Sequence, residues 1–148
     1  MNRTTLSRFD ILADADVPVA VLNLQSTKKL QSSFSPSDLA MIATVASELG
    51  RNILKYGGGR GYLLVSWIED PVHCNGGVEI KAVDFGPGFA DAESALKNHY
   101  STGGTLGLGL SGAARIMDSL KIESLPARGA TITANKWVRP HAQQNRGR

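Results

Sequence analysis

Cysteine is all but missing from this chain. Cys74 stands alone, which excludes an internal disulfide and points to a reducing, cytoplasmic setting. Long apolar runs are missing too: none approaches the roughly 18 residues of a membrane-spanning helix, so no span is expected. The amino terminus, MNRTTLSRFDILADADVPVAVLNL, lacks the order of basic start, apolar run and small-residue cleavage site that marks a secretory signal. An excess of one charge is lacking as well, once the net +3 is located. Residues 139–148, RPHAQQNRGR, carry Arg139, Arg146 and Arg148 and no acid; without these three, 13 basic residues remain of the 16, equal to the 13 acidic ones. A nucleic-acid binder would carry a basic face on its body, so no nucleic-acid partner is expected. The tail is polar, terminal and basic, and is expected to be disordered.

What remains is an ordinary soluble composition. With 148 residues, 42% hydrophobic and 20% charged, the chain is long enough for one core, and residues 1–138 are read as a single domain. There are no internal repeats. Val17, Val19 and Val21 alternate in DVPVAVLNL, which predicts a strand, and residues 23–33 are expected as helix. Ser35-Pro36-Ser37-Asp38 opens a long helix, along which Leu39, Ile42, Ala46, Leu49 and Ile53 recur at helical spacing. It ends at Tyr56, before Gly57-Gly58-Gly59. GYLLVSWIED and GVEIKAVD read as two strands joined by PVHCNGG; ADAESALKNHY and LGLGLSGAARIMDSL read as helices, the latter with Leu110, Ala113, Ala114 and Met117 on one side; LKIESL and ATITANKW read as a closing hairpin through PARG. The pattern predicts an α+β sandwich: a mixed, mostly antiparallel sheet covered on one face by helices.

Three segments carry candidate chemistry. In the long helix, Glu48 and Asn52 lie four apart, hence on one face, which Met41 and Val45 share beside the core stripe. A solvated polar pair is the commoner meaning of that spacing. The alternative is a carboxylate and an amide oxygen turned to one ligand: a hard cation such as Mg²⁺ takes oxygen ligands, and a carboxylate can take a hydroxyl proton. Second, Asp84-Phe-Gly-Pro-Gly88 follows an apolar strand directly. Read alone it is a turn; but that strand would half-bury Asp84, which then needs donors, and an adenine amino group is one. Gly86 and Gly88 leave room for a ligand against the backbone. Third, STGGTLGLGL runs into a helix. Its glycines let successive N–H groups face one concavity at a helix start, an anion site to which the Ser101, Thr102 and Thr105 hydroxyls add donors. No Gly-Lys-Ser/Thr follows, which excludes a Walker A loop, and no βαβ strand precedes it, which excludes a dinucleotide fingerprint.

Glu-x-x-x-Asn on a helix, Asp-x-Gly-x-Gly after a strand and Gly-x-Gly opening a helix, in that order over about residues 35–137, resemble the GHKL ATPase superfamily. SELGRNILKY, DFGPGFADAESAL, YSTGGTLGLGLSGAARIMD and the closing KW are most similar to the RsbT branch of the RsbT/RsbW-type anti-sigma-factor serine/threonine kinases. The resemblance implies the GHKL (Bergerat) ATP-binding fold and a kinase that uses Mg-ATP to phosphorylate Ser or Thr of a STAS-domain antagonist protein. It implies a partner switch to a PP2C-type phosphatase in a sigma-factor or stress-response pathway. By residue, it implies Glu48 as general base, Asn52 as Mg²⁺ ligand, and Asp84 on the adenine amino group in a pocket shaped by Gly86 and Gly88. Ser101, Thr102, Gly103, Gly104, Thr105, Leu106, Gly107 and Gly109 would wrap the phosphates. The alternative is a nucleotide-dependent binding module without catalysis; Glu48 favours the enzyme. No dimerising helix pair with a His is present for a histidine kinase, and the chain is too short for the transducer domain of gyrase or MutL. One departure stands out: where the family often has Gly-Thr at the start of the last strand, this chain has Gly129-Ala130, with Thr131 one later. His73 and Cys74 have no second pair to complete a zinc site, and lone His99 reads as a surface residue. Trp67 and Trp137 read as core or partner-facing rather than as base-stacking platforms.

Overall fold

A computed structural model of the chain describes residues 1–73, 75–88, 109–125 and 127–140. Five strands, β1 (Asn2–Ile11), β2 (Gly61–Glu69), β3 (Gly77–Asp84), β4 (Ser119–Leu125) and β5 (Gly129–Trp137), form one sheet in the order β1-β2-β3-β5-β4. Every pairing among them is antiparallel. Helices α1 (Asp16–Gln25), α2 (Lys28–Ser33), α3 (Pro36–Tyr56) and α4 (Gly109–Ile116) pack on one face, as expected of an α+β sandwich.

The long helix forms for local reasons. Ser35 caps it, its Oγ accepting the Asp38 N–H at 3.1 Å, with Pro36 at the first helical position. Ile42, Ala46, Leu49 and Ile53 are buried, so their spacing fixes which way α3 is turned. They meet the alternating inward residues of the sheet, among them Leu63, Val65, Ile80, Ala82, Ile132 and Ala134. Each leucine, isoleucine or valine among them contributes about 1.5–3 kcal/mol by leaving water. Gly50 lets α1 approach: a Cβ there would lie 3.2 Å from Val17 Cγ2.

The segment expected as a strand at Val17–Val21 is helical instead, within α1. Asp16 Oδ2 accepts the N–H groups of Leu12 (2.9 Å) and Ala13 (3.0 Å), which turns the chain, and Pro18 in the first turn suits helical φ. Val17, Ala20 and Leu24 form the buried side, while Val19 and Leu22 are exposed, so the alternation of valines mixed two helix faces. The helix expected at 23–33 is divided, α1 ending at Gln25 and α2 starting at Lys28. Strand β1, unread in the sequence, pairs with β2 from Asn2↔Glu69 to Ile11↔Gly61, with a bulge between Thr5 and Ser7. Arg3 reaches from β1 across β2 to Glu79 of β3, donating Nε to Oε1 at 2.8 Å and Nη2 to Oε2 at 3.0 Å.

The closing hairpin forms as expected, and it fixes α4. Buried Lys136 of β5 donates its Nζ to the Ile116 carbonyl at 3.0 Å, at the helix's C-terminal end. The helix expected over ADAESALKNHY lies outside the described residues.

Candidate functional site

Three backbone segments converge on the carboxylate of Asp84. The first is the end of α3. The Gly57 N–H still bonds to the Ile53 carbonyl at 2.9 Å, and Gly58 then takes φ of 78°, turning the chain toward β2. The second is the exit from β3, where Asp84 is 6% exposed. Its Oδ1 accepts the Gly86 N–H at 3.1 Å, an Asx-type turn. The third is the start of β5, whose Ala130 N–H donates to the same Oδ1, also at 3.1 Å. Asp84 Oδ2 accepts no hydrogen bond among the described residues.

Glycine is required where these segments touch. A Cβ on Gly57 would stand 2.6 Å from Asp84 Cβ and 2.8 Å from Oδ2. A Cβ on Gly86 would run into the Gly57 carbonyl group and stand 2.6 Å from Gly58 N. Sequence reasoning read Gly57 as a helix stop only; its second task, making room for the carboxylate, comes from a contact distant in sequence and carries no local signal. The turn after Asp84 is also tied to the β4–β5 connection, where the Ala127 N–H donates to the Pro87 carbonyl at 2.5 Å. A pocket of about 550 Å³ opens here between β3 and the β4–β5 hairpin, with Asp84, Phe85, Arg128, Ala130 and Thr131 in its lining.

Position 130 clarifies the departure from the Gly-Thr pattern. Ala130 is buried with Ile132 and Ala134 on the helix-covered face, on which Asp84 also lies; Thr131 and Thr133 alternate to the other face. A backbone N–H, not a hydroxyl, therefore holds Asp84 from this strand.

Farther back along α3, Asn52 is 7% exposed and has no side-chain hydrogen-bond partner among the described residues. Its amide is not among the fully buried, unpartnered side-chain polar atoms, so it keeps access to solvent or to a ligand at the surface of the core. Glu48, one turn earlier, is 13% exposed at its side chain and accepts Arg51 Nη2 at Oε1, 2.5 Å away. Val45 on that side is fully buried and Met41 is exposed, so the pair does lie at the rim of the core. At 1.5 Å per residue, Asn52 lies about 7 Å and Glu48 about 13 Å along the axis from Gly57, which touches Asp84. Gly88 (φ 74°) and Gly109 (φ 66°) border the segment between β3 and α4. Ser101, Thr102, Gly103, Gly104, Thr105, Leu106 and Gly107 lie outside the described residues, as do Cys74 and His99. His73 pairs with Asp70 at 3.0 Å and stacks on Trp137 with ring centroids 3.9 Å apart. Trp67 is buried, edge-on to Phe34.

The family described as histidine kinase-, DNA gyrase B-, and HSP90-like ATPase matches residues 37–140, which include all three converging segments. The chain belongs to this GHKL ATPase family. Within it, the chain is 36% identical over 129 residues to the serine/threonine-protein kinase RsbT of Bacillus subtilis (strain 168), covering 87% of this chain and 94% of that protein. This GHKL chain is thus an RsbT-type serine/threonine kinase. Its fold is similar to that of a chain in the crystal structure of the SiaB–SiaC complex from Pseudomonas aeruginosa. The TM-score is 0.55 at 16% identity, with 89% of each chain covered.

In this GHKL domain the Gly57–Gly86 approach is a packing constraint that a single methyl group tests. Gly86→Ala should lower stability by about 1–3 kcal/mol, the cost of overpacking a closed contact. A denaturation midpoint equal to wild type would show that the two backbones have room to separate.

Proposed function

We propose that this RsbT-type kinase transfers the γ-phosphoryl group of ATP to a Ser or Thr hydroxyl of a STAS-domain antagonist protein. We further propose that it then switches to a PP2C-type phosphatase as second partner. The observation that carries the catalytic part is the spacing along one helix: the glycine end of α3 meets Asp84, and Asn52 and Glu48 follow at about 7 and 13 Å. That order is commensurate with base, phosphates and reacting γ-phosphorus of an extended nucleoside triphosphate. The partner identities rest on the resemblance to the RsbT branch.

Each residue has a separate task in this reading. Asp84 presents Oδ2 to the adenine amino group, because Oδ1 already accepts two backbone N–H groups. The glycine-rich segment 101–109 offers backbone N–H groups to the phosphates. Asn52 suits a Mg²⁺ ligand: its side chain has no hydrogen-bond partner among the described residues, and an amide oxygen is a hard donor. Bound Mg²⁺ would neutralise charge on the triphosphate. Glu48 takes the proton as the acceptor hydroxyl oxygen bonds to the γ-phosphorus, while the bond from that phosphorus to the β,γ-bridging oxygen breaks and ADP departs.

Two substitutions check these tasks. Asn52→Ala should abolish the Mg²⁺ dependence of ATP binding in calorimetric titration; a full Mg²⁺ enhancement in the variant would return Asn52 to the role of a polar helix residue. Glu48→Gln should bind Mg-ATP nearly as wild type. It should also lose about 10²–10⁴-fold in transfer from radiolabelled ATP to the STAS-domain protein encoded in the same genome. Equal transfer by both proteins would remove Glu48 as base. A wild type that transfers nothing, yet binds its partner only with nucleotide, would make this chain a binding module.

A further inference from the structure

Arg51 precedes Asn52 and turns back along α3. Its Nη1 donates to Ser47 Oγ at 2.9 Å and its Nη2 to Glu48 Oε1 at 2.5 Å. An exposed pair at this spacing on a helix is ordinarily worth little, because holding two long side chains offsets the attraction in water. Here the two partners differ in exposure: the carboxylate is 13% exposed and the guanidinium 49%. The carboxylate, largely out of water, needs a donor; the guanidinium reaches in from solvent to supply it. Ser47 holds the guanidinium's other arm, so the fork is fixed at two points rather than one. One carboxylate oxygen is thereby occupied, and Oε2 accepts no hydrogen bond among the described residues. A base held on one side by a third group, with its other side turned to the reacting proton, is the recurrent arrangement of nucleophile activation.

We infer that Arg51 is a positioning residue of the phosphoryl-transfer site, fixing the Glu48 carboxylate so that Oε2 faces the acceptor hydroxyl. This rests on Glu48 being the base. Arg51 itself touches neither nucleotide nor acceptor in this role, and its effect passes through Glu48 alone. Lysine carries its three donors on one nitrogen and lacks the planar fork whose separate arms reach Ser47 and Glu48, so it holds the carboxylate less rigidly.

The test is steady-state transfer from radiolabelled Mg-ATP to the same STAS-domain protein, with wild type, Arg51→Ala, Arg51→Lys, Glu48→Gln and the Glu48→Gln/Arg51→Ala double variant. Arginine and alanine are both good helix formers, so α3 should persist, and thermal midpoints check this. Arg51→Ala should lower kcat by about tenfold or more, a share of the base's contribution, with KM for Mg-ATP changed less than about twofold. Arg51→Lys should fall between it and wild type. Adding Arg51→Ala to Glu48→Gln should cost nothing more, since the group it positions is gone. Wild-type kcat in Arg51→Ala would overturn the inference, as would a faster Arg51→Ala, which would mean that the pair restrains the base. A raised KM, or a loss that adds to that of Glu48→Gln, would mean that Arg51 acts on nucleotide or acceptor directly, and would overturn it too. Full transfer by Glu48→Gln, or none by wild type, removes the underlying reading and is visible without any Arg51 variant.

Discussion

A carboxylate buried at the meeting of three backbone segments is the constraint on which the site depends. Asp84 at 6% exposure must be solvated by the protein, and two backbone N–H groups, from Gly86 and Ala130, do this at one oxygen. For both to reach it, the start of β5 must lie beside the end of β3. The end of α3 packs against the Asp84 side chain through Gly57, where a Cβ would stand 2.6 Å from Asp84 Cβ and would displace the carboxylate. With its last turn fixed there and its rotation fixed by Ile42, Leu49 and Ile53 against the sheet, α3 has no freedom left in where it presents Asn52 and Glu48. The placement of the polar pair is thus a consequence of core packing and of one buried acid.

The same constraint explains the unusual share of glycine at this end of the molecule. Gly57, Gly86 and Gly129 each stand where a Cβ would strike another segment, Gly129 against the Asp84 carbonyl. Local stability given up at these positions is offset by the close approach that lets backbone donors reach a side-chain acceptor. Ala130 fits this logic: what β5 supplies to Asp84 is an N–H, which any non-proline residue carries, so the absence of threonine leaves this contact intact.

Elements whose signals are local were legible in the sequence. Ser35-Pro36, the apolar stripe and the triple glycine delimit α3 closely, and β2, β3 and the closing hairpin follow from alternation bounded by turn residues. Strand β1 was not legible: Arg3, Thr4, Thr5 and Ser7 interrupt its apolar pattern, and the bulge at Leu6 breaks the alternation between Thr5 and Ser7. In α1 the valines at 17, 19 and 21 imitated a strand, whereas the deciding signals, Asp16 and Pro18, both lie in the first turn of the helix. Of the candidate site, the places of Asp84 at a strand end and of Glu48 and Asn52 on one side of α3 were legible through residue type and spacing. The contacts of Gly57, of the Ala130 N–H and of Arg51 were not, because each depends on which atoms meet in three dimensions.

The central claim is that Asp84 leaves one carboxylate oxygen free to accept a hydrogen bond from a purine amino group. Calorimetric titration of the wild-type protein with Mg-ATP and with Mg-GTP tests it most directly, since the two differ at the base alone. Adenine offers an amino group where guanine places a carbonyl oxygen, which would face the carboxylate with no proton between them. An unpaired acceptor of this kind costs about 1–3 kcal/mol. The account predicts that Mg-ATP binds about tenfold or more tightly than Mg-GTP. Equal affinity for the two nucleotides would contradict it.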